Sequence, residues 1–424
     1  MTRRISAEQV PALLEPGMNV FVMGGPNEPR GIIEALRAQP ERCAGVRFFQ
    51  SIVPGMTDTD FCAIHPQVRS SAYFITPGTR EPYLRGRLDY IPMQISAVTD
   101  FLASDYPLDL AILGLSGPAD ATIFGGGLNV DFLDVILQRR PPVVAELNHR
   151  LPTPHDATSL PAACVDYVVE TEHALPQLPL PEPTQESVWI AHHVAALVKD
   201  GDCIQTGVGA IPYSVLHALG DKNDLGLHSG ILDDAGMALI EAGNITGSRK
   251  PIDRFKHVVA CAMGTADFYD RAASHPHVRF RPFGHTHAAR VLVGLDNFVS
   301  INSAMEIDLQ GQMNAEMING SQVTGTGGAV DFMRGAAGSP GGRSIIAMTA
   351  TAAAGRRSRI VARLGDGNAA TALRTDVDYV VTEHGARRLR FLSERDRARA
   401  LIEIAAPQFR DELEQAFERR HQAP

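Results

Sequence analysis

An α/β fold of two similar domains, each built on an open, mainly parallel sheet, is what this sequence predicts. Three observations carry that expectation. A chain of 424 residues is longer than one ordinary core organises, so two domains are expected. Short apolar runs alternate with longer helical patterns almost throughout. The apolar runs also lack polar alternation, as strands covered by helices on both faces do.

The elements follow in order. NVFVMG at 19–24 is followed by the helical GIIEALRAQ at 31–39, then by VRFFQSIV at 46–53. LDLAILGLS at 108–116 precedes VDFLDVILQRR at 130–140, with PPVVAELN at 141–148 behind it. ALPQLPLPEPTQE, at 174–186, is proline-rich and aperiodic, which marks a linker between an N-terminal domain, 1–183, and a C-terminal domain, 184–424. The pattern then restarts: ESVWIAHHVAALVKDG reads as a helix, CIQTGVG as a strand running into a turn, and IPYSVLHALG as a helix. Later strands are expected at 257–264, 297–304, 344–350 and 378–385. The terminal RDELEQAFERRHQ is an amphipathic charged helix, read as a solvated cap.

Composition narrows the class. Hydrophobic residues make up 44% and charged residues 21%, the balance of a soluble globular enzyme. The net charge of −9, with no basic stripe, argues against nucleic acid as a partner. Cys43, Cys62, Cys164, Cys203 and Cys261 are odd in number and never form a C-x-x-C pair. Free thiols, a reducing cytoplasmic compartment and no zinc site are therefore expected. The first residues lack an apolar stretch behind their basic pair, so no signal peptide is expected. No run of about 18 apolar residues suggests a membrane span.

Four stretches carry candidate chemistry. TGVGAIP at 206–212 follows a strand and opens a helix, where Gly207 and Gly209 let backbone approach a ligand and helix-start amides favour oxygen anions. The alternative there is a tight turn with no ligand, since the full G-x-G-x-x-G is absent. VTGTGGAVDFMRGAAGSPGGRSIIAM at 323–348 packs seven glycines within twenty residues, either as backbone facing a ligand or as a surface loop. Amides turned toward a carbonyl oxygen there would stabilise an oxyanion by about 3 kcal/mol per donor. SINSAMEIDLQGQMNAE at 300–316 places Glu306 where it serves either as a general base or nucleophile, or as a hydrogen-bond acceptor holding loops. LGLHSGILDD at 225–234 surrounds Gly230 with His228, Asp233 and Asp234 yet has no nucleophile at its centre. Two further sets read mainly as ordinary surface or core: the His285–His287 pair lacks a third ligand at metal-site spacing, and Arg80, Arg85 and Arg87 suit either an anion or solvent.

GVGAIPYSVLHAL, DLGLHS, NSAMEIDLQGQ, GTGGAVDFMRGA, GGRSIIAM and DVDYVVTEHG, in this order and spacing, resemble the acetyl-CoA hydrolase/transferase family, in its 4-hydroxybutyrate CoA-transferase type. The N-terminal half joins in through GGP at 24–26, RGRLDYIP at 85–92, LDLAILGLSGPAD at 108–120 and AELNHRLPTP at 145–154. The resemblance covers nearly the whole chain. It implies two similar CoA-transferase α/β domains with the site in the cleft between them, acyl-CoA as substrate, a small carboxylic acid as acceptor, and no metal or permanently bound cofactor. A homodimer is the common assembly of such enzymes. By the same resemblance, Gly207, Val208, Gly209, Ala210 and Ile211 would line the thioester. Met305 and Gly328 would touch the CoA chain, and amides near Ile211 and Gly327 would form the oxyanion hole.

In that family a glutamate attacks the thioester and becomes a glutamyl-CoA thioester. It follows the His-Ser of DLGLHS, a place held here by Gly230. The resemblance therefore implies CoA transfer to a 4-hydroxybutyrate- or acetate-type acid by a non-standard route. The alternatives are hydrolysis by water with His228, Asp233 or Glu306 as base, acyl transfer to a non-carboxylate acceptor, or acyl-CoA binding without catalysis.

Overall fold

A computed structural model describes residues 2–422, which cluster into two compact units. The first comprises the segment ending at Leu180 together with Gly230–Met237 and Val258–Thr286. The second comprises Pro181–Ser229, Ala238–His257 and the segment from His287 onward. Residues 172–184 carry neither helix nor strand.

The first unit is built on eight strands: β1 (Arg3–Arg4), β2 (Asn19–Val22), β3 (Arg47–Gln50), β4 (Arg69–Ala72), β5 (Leu88–Tyr90), β6 (Leu110–Leu115), β7 (Val143–Asn148) and β8 (Tyr167–Thr171). Their order is β1-β8-β7-β6-β2-β3-β4-β5, and every pairing is parallel. Every residue of β6 and β7 is buried, as double-sided cover requires. Strand order reverses between β6 and β2, the place where an open parallel sheet normally leaves a crevice. Here Asn27 fills it. Its Nδ2 donates to Gly114 O (2.7 Å) and Gly126 O (2.8 Å), and its Oδ1 accepts from the amides of Leu128 (3.0 Å) and Asn129 (2.9 Å).

Helix α1 (Arg30–Ala38) starts without a capping residue of its own. Glu146, buried in β7, serves from outside: its carboxylate accepts from Ile32 N (2.8 Å), Gly31 N (3.3 Å), Thr171 Oγ1 (3.1 Å) and His173 Nε2 (2.7 Å). A negative charge at a helix start is favourable on both hydrogen-bond and dipole grounds.

The second unit carries β9 (Cys203–Thr206), β10 (Gly226–Leu227), β11 (Phe298–Asn302), β12 (Arg343–Ala347), β13 (Tyr379–Thr382) and β14 (Gly385–Arg388), in the order β10-β9-β11-β12-β13-β14. All pairings are parallel except the final β13–β14 hairpin. Helices α2 (Gln185–Ala195) and α3 (Ala210–Ala218) pack together, and α4 (Ala329–Gly338) lies on β11 and β12.

Two sequence expectations need correction. The run at 257–264 is not one strand; it breaks into His257–Val259 and Cys261–Ala262, with Ala260 between them. The glycine-rich stretch 323–348 is not an open loop, because its AVDFMRGAAG forms a ten-residue helix, α4. Val330, Phe332, Met333 and Ala336 give that helix a buried face. Several of its glycines answer to packing: a Cβ at Gly335 would lie 2.5 Å from Leu292 Cβ, and one at Gly338 would lie 2.7 Å from Val293 Cγ1.

Two outcomes are expected. Gly335→Val overpacks the contact with Leu292 and lowers stability by about 1–3 kcal/mol, read as a lower urea midpoint at unchanged slope. The second concerns pH. The hydrogen bond that His173 donates to Glu146 raises the pKa of His173, so the folded chain holds that proton more tightly than the unfolded chain. The resulting stabilisation is full below pH about 6.5, the unfolded value, and is lost as pH rises through the raised folded value. The difference in melting temperature between wild type and His173→Gln should therefore shrink with rising pH; a constant gap from pH 6 to 9 contradicts the assignment.

Candidate active site

Because β9, β10 and β11 are adjacent and parallel, the segments after them leave one edge of the sheet of the second unit. These are 207–211 after β9, His228 and Ser229 after β10, and 303–306 after β11. Helix α3 begins at that edge, four residues after β9 ends. Helix α4 ends five residues before β12 begins, so its first turn, after Gly327 and Gly328, points back toward the same edge. The C-terminal edge of a parallel sheet is where α/β folds place ligands.

The turn after β9 is the most open part. Gly209 caps α3 at φ 120° and ψ −178°, a conformation that needs glycine. A Cβ placed on Gly207 or on Gly209 would meet nothing within 4 Å. Tyr213 N returns to Gly209 O at 3.0 Å, and Pro212 has no N–H to offer. The amides of Ala210 and Ile211 head the helix, where no intrahelical acceptor exists for them. The helix start is anchored from inside, with Ser214 Oγ donating to Ala210 O and also meeting Ser187 Oγ, each at 2.8 Å. Such a turn favours an oxyanion.

The neighbouring strand ends are fixed by side chains. The amide of buried His228 donates to Ile204 O (3.1 Å), and Ser229 Oγ donates to Thr206 O (3.1 Å), tying the segment after β10 to the end of β9. Gln205 and Asn302 exchange amide hydrogen bonds of 3.4 and 3.0 Å across β9 and β11. Lys250 is buried, and its Nζ donates to Leu227 O (3.1 Å) and Lys256 O (2.9 Å). Burial pushes its pKa down. Sequence reasoning missed Lys250 and Gln205, since only the fold reveals that a lone lysine in GSRKPID is enclosed.

The remaining candidates differ in their surroundings. Met305 is half-buried, its amide donating to Asn314 O (2.9 Å). Glu306 Oε1 accepts from Asn314 Nδ2 (3.1 Å), Gly365 N (3.2 Å) and Asn368 Nδ2 (2.6 Å), which makes it a clasp between loops. Gly327 takes a left-handed φ of 61°. Gly328 lies against His287, since a Cβ there would come 2.4 Å from His287 Nε2. That imidazole is buried, with a pKa pushed down to about 3, and so is neutral. Gly230 and Asp233 belong to the first unit. The Gly230 carbonyl accepts from Ala260 N (3.2 Å) and Cys261 N (3.0 Å), and Asp233 Oδ1 accepts from Gly236 N (2.8 Å) at the start of a helix. Asp234 accepts from the amide and hydroxyl of Thr265 (3.1 and 2.7 Å). Of the arginines, Arg87 serves the carbonyls of Cys62, His65 and Val68, and Arg85 pairs with Glu81 at the surface.

Glu306→Ala should leave three donors from two segments unmet and lower stability by about 1–3 kcal/mol in urea unfolding. Unchanged stability would remove it from the clasp.

Comparison with known proteins agrees with this architecture. The model for the acetyl-CoA hydrolase/transferase N-terminal domain matches residues 2–179, and that for the C-terminal domain matches 264–417. The chain is 34% identical over 417 residues to a 4-hydroxybutyrate coenzyme A transferase of Clostridium kluyveri, covering 98% of this chain and 97% of that protein. It is 33% identical to a butyryl-CoA:acetate CoA-transferase of Anaerostipes caccae, covering 76% and 75% respectively. Among solved structures, RipA from Yersinia pestis superposes with a TM-score of 0.92 at 32% identity over 99% of this chain and 98% of that one. The 4-hydroxybutyrate CoA-transferase of Porphyromonas gingivalis gives 0.82 at 30% identity, covering 99% and 98%. With both family domains matched and full-length relatives above 30% identity, this chain belongs to the acetyl-CoA hydrolase/transferase family of enzymes.

Proposed function

We propose that this enzyme transfers CoA from an acyl-CoA to a small carboxylic acid of the 4-hydroxybutyrate or acetate type, by direct reaction of the two bound substrates. The observation that carries this reading is the open turn at Gly207 and Gly209, set at a helix start and at a sheet edge shared with the ends of β10 and β11. In this reading Gly207, Val208, Gly209, Ala210 and Ile211 cradle the thioester. The amides of Ile211 and Gly327 receive the developing oxyanion, and Met305 and Gly328 border the CoA chain.

The place that the resemblance assigns to a glutamate nucleophile is Gly230, so no side chain there forms a covalent intermediate. The acceptor carboxylate attacks the thioester carbonyl itself. The C–S bond breaks, leaving a mixed anhydride and the CoA thiolate. The thiolate then attacks the acceptor's carbonyl and releases the donor acid as its carboxylate. No proton moves, so no general base is needed. Hydrolysis would need a base, and because Glu306 and Asp233 are both committed to loop and helix hydrogen bonds, His228 is the candidate left for it. The five cysteines are unpaired, which suits a cytoplasmic location, and the reading includes a homodimer as the working assembly. Among the described residues no helix is long and apolar enough to cross a membrane.

The kinetic pattern tests this. Initial rates with acyl-CoA and acetate varied together should give intersecting double-reciprocal lines, and Gly230→Glu should convert them to the parallel lines of a covalent route. Parallel lines in the wild type contradict the direct mechanism, and free CoA released without acceptor makes the enzyme a hydrolase. Gly209→Val should weaken acyl-CoA binding at least tenfold, as measured by calorimetry.

A further inference from the structure

One group near the same sheet edge has no role in that reading. Arg359 lies in the segment after β12, stitched on both sides by backbone: its amide donates to Ala350 O (2.9 Å), and its carbonyl accepts from Ile307 N (2.8 Å). Its side chain reaches the turn that follows β11, where Nη1 donates to Ala304 O (3.2 Å). Ala304 is buried and immediately precedes Met305.

That single bond is all that the guanidinium makes among the described residues. A guanidinium carries five N–H donors, and in a protein interior each is normally met. Nε of Arg359 is buried with no acceptor. Glu383 is near enough to act on it electrostatically, yet no ion pair forms between them, and Glu383 Oε2 accepts from Ala350 N (2.8 Å) instead. Partial burial lowers the pKa of Arg359, and the charge of Glu383 offsets this only in part. Folding alone gains little from this arrangement. Leaving a buried donor such as Nε unmet is costly. Arg343, of the same unit, is by contrast fully engaged: it pairs with Asp202 and donates twice to Leu197 O.

We propose that Arg359 is an oxyanion-binding residue of the active site, completing its hydrogen bonds with a carboxylate or phosphate of the substrates. A guanidinium held at one corner by Ala304 O keeps further planar N–H groups on its Nη atoms, a geometry that a two-oxygen anion matches. Two sources supply such an anion: the carboxylate of the acyl acceptor and a phosphate of CoA. The placement beside Met305 ties this inference to the function proposed above, on which it rests.

Variants Arg359→Gln and Arg359→Lys separate the outcomes. If the acceptor carboxylate is the partner, Arg359→Gln raises KM for acetate at least tenfold. KM for acyl-CoA and the Kd of CoA then stay within twofold, and Arg359→Lys recovers part of the loss. If a phosphate is the partner, the Kd of CoA rises at least tenfold while that of pantetheine is unchanged. Unaltered constants for acetate, CoA and acyl-CoA in a folded Arg359→Gln protein overturn the proposal. A wild-type protein that neither binds nor turns over acyl-CoA refutes the proposed function instead. In that case the thermal shift with sodium acetate or inorganic phosphate still decides the residue: a shift that Arg359→Gln abolishes supports it, and no shift, or one that survives the substitution, overturns it. Should Arg359→Gln fail to fold, Arg359→Lys serves in the same assays.

Discussion

A strand can join a parallel neighbour only by crossing over the face of the sheet, and that constraint organises the second unit of this enzyme. Each crossover places a helix start just beyond a strand end, so amide-rich turns accumulate along one edge. With β9 between β10 and β11, three such ends become neighbours although their residues lie up to about a hundred positions apart in sequence. The proposed site is thus a by-product of strand direction. Its detail comes from the residues that happen to follow each strand.

The two sheets use their C-terminal edges differently. At the β6–β2 junction of the first unit, Asn27 satisfies four backbone groups and leaves nothing to offer. At the corresponding edge of the second unit, the turn containing Gly207 and Gly209 stays open, and its anchors lie behind it in Ser214 and Ser187. A polar junction completed by its own protein is structural; one completed on a single side has capacity left for a ligand.

How much of this was legible in the sequence follows from what periodicity encodes. The apolar runs at 19–24, 108–116 and 141–148 announce strands because double-sided burial excludes polar alternation, and all three occur. Sheet order is not written in those runs, since every fully apolar strand looks alike. The glycines of 323–348 show a deeper limit. Glycine reports that a Cβ does not fit or that φ is unusual, but not whether protein or ligand claims the space. At Gly335 the claimant is Leu292 and at Gly328 it is His287, whereas at Gly207 no atom of the protein claims it. Glu306 was ambiguous for a similar reason: a carboxylate near a strand end reads the same whether it reacts or clasps, and only its three donors distinguish the two. Lys250, Gln205 and Arg359 gave no signal, because enclosure of a charged or amide side chain is a property of tertiary packing.

The ammonium of Lys250 shapes how this edge can move. It sits in low dielectric with two carbonyl oxygens as its ligands, one of them at the end of β10. Shifting that strand end would strand a positive charge away from both water and its acceptors, so the His228 side of the edge behaves as a fixed jaw. The turn ahead of α3 is less encumbered, because Gly207 and Gly209 carry no side chain and only Val208 does.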